Sequence, residues 1–139
     1  MNWLVYALLS AFTAALVAIF GKAGLQGVDS VAATGVRAGI MFIVIFIVIL
    51  VTGRIPEVMA IKRESFLYIM LGGLAGAASW VFYFLALQSG KASLVAPIDR
   101  LSVVFVIILS AAFLGEKATV HAAIGGSLIV VGAVIIALS

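Results

Sequence analysis

Residues 40–51 read IMFIVIFIVILV. In water, so dense a run of β-branched and aromatic residues favours a strand. In a bilayer it reads differently, because no water is present to satisfy backbone N–H and C=O groups, and an open strand leaves them unpaired. The apolar stretch around this run extends from about residue 31 to about 52. At 1.5 Å rise per residue that matches a hydrocarbon core of roughly 30 Å. Length decides between the two readings, and the segment is expected to be a membrane-spanning helix.

Composition supports the same medium. Of the 139 residues, 66% are apolar and 9% charged, whereas soluble domains are about 45–50% apolar and about 25% charged. A chain this short with so few polar residues cannot cover a water-facing surface. Apolar runs of similar length recur along it. Spans are expected at about 2–20, 31–52, 65–87, 94–114 and 120–138. The fold class is thus all-α, a polytopic membrane protein of five transmembrane helices forming one domain over residues 1–139. The linkers GKAGLQGVDS, GRIPEVMAIKRE, QSGKAS and GEKAT are short and leave no room for a separate soluble domain. The first span lacks a basic leader and exceeds the roughly 7–15 apolar residues of a signal peptide, so it is read as a true span. The expected location is the cell (inner) membrane.

Five crossings place the two termini on opposite faces. Lys and Arg near span ends set orientation. Arg54, Lys62, Arg63 and Lys117 lie on the side of the N-terminus, and Lys22 and Lys91 on the other. Adding Arg37 and Arg100, a few residues inside spans 2 and 4, evens the count. Two readings stand: the N-terminus cytoplasmic in every copy, or insertion both ways round.

Charges near the centre of a membrane are rare, at about 2.5–3.5 kcal/mol each on insertion scales. Arg37 falls about 7 Å from the middle of span 2 and Asp99 about 8 Å from the middle of span 4. Span 3 runs the other way and brings Trp80 and Tyr83 toward that depth. Arg37, Trp80, Tyr83, Asp99, Arg100 and Ser102 are therefore the candidate substrate-binding residues. Trp80, Phe82, Tyr83 and Phe84 suit a wall for an organic solute, or alternatively an interfacial belt. Asp99 and Arg100 point about 100° apart on a helix. One arrangement pairs Asp99 with Arg37 and leaves Arg100 to snorkel. In the other, Asp99 is an N-cap for a helix beginning at Arg100. Pro97 either kinks span 4, freeing the carbonyl of Ser93, or marks a first turn. Lys22 reads as an interfacial anchor of span 1.

Enzymatic constellations are missing: no cysteine, one histidine (His121, at a span end with no second ligand near it), no phosphate loop and no paired carboxylates in one span. No catalytic residue, metal or cofactor is expected. A net charge of +3 suits membrane flanks, and no basic tract points to nucleic acid.

The stretch from Ala86 to Ile136, ALQSGKASLVAPIDRLSVVFVIILSAAFLGEKATVHAAIGGSLIVVGAVII, resembles the second half of an EamA domain of the drug/metabolite transporter superfamily. Its marks are Ala86-Leu87, Pro97, Leu114-Gly115-Glu116 and a glycine-rich last helix, and FGKAGLQGVDSVAATGVRAG resembles the short single-domain members. The resemblance implies a transporter of a small molecule, in contact with membrane lipid and working by alternating access. Full-length members carry two such domains in inverted orientation, so one domain implies a homodimer with antiparallel copies. Gly125 and Gly132, seven residues apart, resemble the dimer seam on the last helix of small multidrug-resistance proteins; ordinary packing within one subunit is the alternative for this span and for Gly35, Gly39, Gly72, Gly73 and Gly76. Those relatives depend on a glutamate in span 1, and NWLVYALLSAFTAALVAIF carries no acid. Two arginines against one aspartate favour an anionic or zwitterionic metabolite over a lipophilic cation. A membrane subunit that stabilises or regulates a partner protein, without transporting, is the alternative function.

Overall fold

The computed structural model describes residues 2–139 and is all helical. Helix α1 spans Asn2–Gly24, α2 Ser30–Val51, α3 Ile55–Met59, α4 Arg63–Ser89, α5 Ala92–Asp99, α6 Ser102–Leu109 and α7 Val120–Ala137, with a π-helical turn at Ser110–Leu114 after α6. Five segments are long and apolar enough to cross a membrane: Trp3–Gly24, Ser30–Val51, Arg63–Ser89, Ala92–Phe113 and Val120–Ala137. The run at 40–51 is helical throughout, as its length in a lipid medium requires. Most large apolar side chains on these helices are exposed, a pattern that only a hydrocarbon solvent or another protein tolerates.

The ends of the spans have local causes. Asp29 precedes α2 in extended conformation, and its carboxylate accepts a hydrogen bond from the Ala32 N–H at 2.8 Å; this satisfies one of the orphan donors of the first turn. Thr119 does the same for α7 through the N–H of Ala122, at 3.1 Å. Gly115 ends the fourth span with φ +67°, a left-handed conformation that side chains with a Cβ resist. This is the physical content of the Leu114-Gly115-Glu116 motif.

The structure adds detail to the expected spans at three points. The first span continues to Gly24, past the expected end near residue 20, so Lys22 sits in its last helical turn. The loop after α2 holds the short helix α3, with Pro56 in its first turn, where a missing N–H does no harm. The fourth span is not one unbroken helix. Pro97 lies inside α5, and without an N–H it leaves the Ser93 carbonyl unclaimed in the ladder. Past it the chain tightens: Leu101, Val103 and Val104 donate three residues back, to Ile98, Arg100 and Leu101, each at 3.0 Å. Such i→i−3 bonds mark a 3₁₀ step between α5 and α6.

The chain divides into two compact units, residues 1–20 with 89–139 and residues 21–88. In the first, Ala18 and Ala133 are buried, and Gly126 of α7 meets Ile107 and Val104 of α6. In the second, Leu25, Ser30, Thr34, Phe84 and Leu87 are buried. A Cβ at Gly21 would stand 3.3 Å from Phe84 Cζ and 3.4 Å from Leu87 Cδ1, so this position is held to glycine by packing.

Candidate functional site

In the unit of residues 21–88, α4 presents Trp80, Tyr83, Phe84 and Leu87 at helical spacing, one stripe of one face. Phe84 is 4% exposed, while Phe82 is 70% exposed and leaves the expected wall. On α2, Ser30, Thr34 and Arg37 recur at i, i+4 and i+7, the same kind of stripe. Ser30 and Thr34 are buried and Arg37 half-buried. The Thr34 hydroxyl donates to the Ser30 carbonyl at 2.7 Å, whereas Ser30 Oγ, on a residue 1% exposed, has no hydrogen-bond partner.

The two stripes meet at Arg37. Its Cζ lies 3.4 Å from the Trp80 ring centroid and 5.6 Å from that of Phe84. Trp80 in turn has Tyr83 edge-on at 5.5 Å, with planes at 85°, and Phe84 at 6.1 Å. Arg37 stands about 5 Å from the midpoint of α2 by helical rise. A desolvated cation–π contact contributes about 2 kcal/mol, against an insertion cost of about 2.5–3.5 kcal/mol for a charge at a helix centre. The indole offsets much of the cost of placing this charge and fixes where it sits.

The far end of this unit is tied by side chains. Lys22 Nζ donates to the carbonyls of Leu87 at 2.6 Å and Gln88 at 3.4 Å. Gln88 Nε2 donates to the Val28 carbonyl at 3.2 Å. Lys22 therefore caps the C-terminal carbonyls of α4, where a cation also complements the helix dipole. Lys22, expected as an interfacial anchor, also clamps two helices together.

The other three candidates lie in the unit of residues 1–20 and 89–139. Asp99 is the last residue of α5 and half-buried. The N-cap of α5 is Lys91 and that of α6 is Leu101, so Asp99 does not cap a helix, because the chain is already helical before it reaches Pro97. Arg100, in the 3₁₀ step, lines a cleft of about 510 Å³ with Pro97, Ala96, Ala11, Ala14 and Gly132 among its walls. Ser102 opens α6. The six candidates thus form two groups, Arg37 with Trp80 and Tyr83 on one unit and Asp99, Arg100 and Ser102 around the helix break of the other. The Ser30–Thr34–Arg37 stripe escaped sequence reading, although its i, i+4, i+7 spacing was available.

On α7, Gly126 and Ala133 face inward and are buried. Gly125 and Gly132 lie one position earlier, about 100° around the helix, and a Cβ at either would meet no atom within 4 Å. Among the described residues the same is true of Gly35, Gly39, Gly72, Gly73 and Gly76, whereas a Cβ at Gly21 or Gly126 would meet side chains of a neighbouring helix.

Among the described residues, no group of three or more His, Cys, Asp or Glu can hold a metal ion.

Five apolar helices, with a charge held inside one of them, define a polytopic membrane protein. The chain belongs to the EamA-like transporter family, which matches it over residues 1–138, and membrane transport is the function that membership carries. It is 40% identical over 136 residues to a Sinorhizobium protein described as an uncharacterized transporter in the cobO 3' region, a match covering 98% of this chain and 96% of the relative. No solved structure matches it.

Proposed function

We propose that the protein exports or exchanges a small metabolite by alternating access, as a homodimer whose two copies lie antiparallel in the cell membrane. An odd number of crossings means that a second, inverted copy restores the inverted repeat from which many carriers are built. The near balance of Lys and Arg on the two sides permits both insertions. Gly125 and Gly132 supply an open, small-residue face on α7 for close approach of the partner copy.

The observation that carries the reading is Arg37 stacked on Trp80 within α2 and α4. Intramembrane cations face protein interiors or polar cavities and mark solute pathways. Arg37, Trp80 and Tyr83 are proposed as solute contacts within one unit. Asp99, Arg100 and Ser102 are proposed as solute contacts within the other, beside the break between α5 and α6, since discontinuous helices expose backbone groups where a cavity needs them.

The test is solute flux through purified protein in liposomes. Arg37→Ala and Asp99→Asn are expected to fold and to lose transport. Wild-type flux in both folded variants overturns the site assignment.

A further inference from the structure

The guanidinium of Arg37 uses its face on Trp80. Its five N–H donors lie in its plane, at the edge. Among the described residues of its own unit, that edge makes no hydrogen bond and no ion pair. Donors left so inside a span are costly. They are also pre-aimed, because the indole holds the group still and little rotamer freedom is lost when an acceptor arrives. A carboxylate is the acceptor whose two oxygens match the spacing of the guanidinium fork.

We propose that Arg37, held flat on Trp80, is the fork that receives the carboxylate of the transported solute, and that this solute is an organic monocarboxylate. The inference rests on the reading of this site as the solute site, and it adds the chemical class. One cation calls for one negative charge, since a dianion would leave an uncompensated charge in a low-dielectric site. The surroundings suit the rest of such a molecule. Tyr83, half-buried and edge-on to the indole, offers apolar surface to a hydrocarbon body. Toward the start of α2, Thr34 and the unpartnered Ser30 Oγ put polar groups on the same face as Arg37, the face turned from lipid.

Two tryptophans are present, Trp3 and Trp80, so Trp3→Phe leaves Trp80 as the sole indole and makes it a reporter at the fork. In detergent, with no gradient and no flux, this variant is titrated with the straight-chain monocarboxylates from acetate to hexanoate, their neutral amides, and inorganic phosphate. At least one carboxylate is expected to give a saturable change in Trp80 emission, and its amide none. Arg37→Gln is expected to abolish the response, and Arg37→Lys, which keeps the charge but loses the fork, to weaken it by on the order of tenfold. A response to the amide equal to that of its acid overturns the proposal, as does a response surviving Arg37→Gln. Response to phosphate alone, or to none of the series, also overturns it. Solute flux in liposomes, measured separately, shows whether such a failure belongs to the carboxylate fork or to the transport reading itself.

Discussion

Arg37 and Trp80 meet at 3.4 Å, guanidinium carbon to ring centroid, although they stand on different helices and 43 positions apart in the chain. That contact settles what a lone cation does inside α2. It is braced against an aromatic face of α4. Removing the brace should therefore be felt both in stability and in function. Trp80→Ala is expected to lower stability by about 2 kcal/mol from the cation–π contact, and by more from lost packing. Trp80→Phe should retain part of it. Unfolding in mixed micelles reads the difference; equal stability of Ala and Phe variants would show that the ring contributes only bulk.

The clamp at the other end of this unit has its own expected signature. Lys22→Met keeps most of the apolar stem but loses the charged donor to the Leu87 carbonyl. A hydrogen bond to a charged group contributes about 1.5–3 kcal/mol, and loss of an amount in this range is expected. Stability unchanged from wild type in the same unfolding assay would return Lys22 to the role of an interfacial anchor.

The glycines divide into two kinds that one substitution separates. Gly21→Leu drives side-chain atoms into Phe84 and Leu87, and overpacking of this sort costs about 1–3 kcal/mol or more. Gly132→Leu meets no atom within 4 Å at its Cβ, so the chain should fold, yet the proposed dimer should disperse. Crosslinking in membranes distinguishes them. Undiminished dimer crosslinks in the Gly132 variant would move the contact surface elsewhere.

Pro97→Ala restores an N–H to the ladder opposite the Ser93 carbonyl. A gain of about 1 kcal/mol is expected from the recovered hydrogen bond, together with reduced flux if the step between α5 and α6 serves transport. Full flux in a stabilised variant would make the break a tolerated irregularity.

Much of this architecture was legible because bilayer thickness is a strict ruler. The run at 40–51 has only one solution in lipid, and the other spans follow by length. Pro97 and Gly115 announce backbone events that residue chemistry alone dictates. What escaped reading depends on side chains meeting across helices. Nothing in the sequence near Lys22 points to the carbonyl of Leu87. The choice between Phe82 and Phe84 as the inward ring turns on a helix rotation that lipid-facing apolar residues leave unmarked, since every face of α4 is apolar. The same blindness hid Gly21 and Gly126, because a packing glycine and an idle one look alike until the neighbour is in place. Of the two readings of Asp99, the helix cap falls because α5 has already begun at Ala92, a start that the polar residue after the proline conceals.

The pairing of two inverted copies is the claim on which the rest turns, and the sequence offers a clean way to measure it. The chain has no cysteine, so Ser139→Cys places a single thiol at the C-terminus. A membrane-impermeant maleimide applied to intact spheroplasts, and separately to everted vesicles, counts the copies facing each way. Roughly equal labelling from the two faces is expected from dual insertion, with the oppositely oriented copies crosslinked to each other. Labelling confined to one face, in membranes where the protein still transports, would contradict the account.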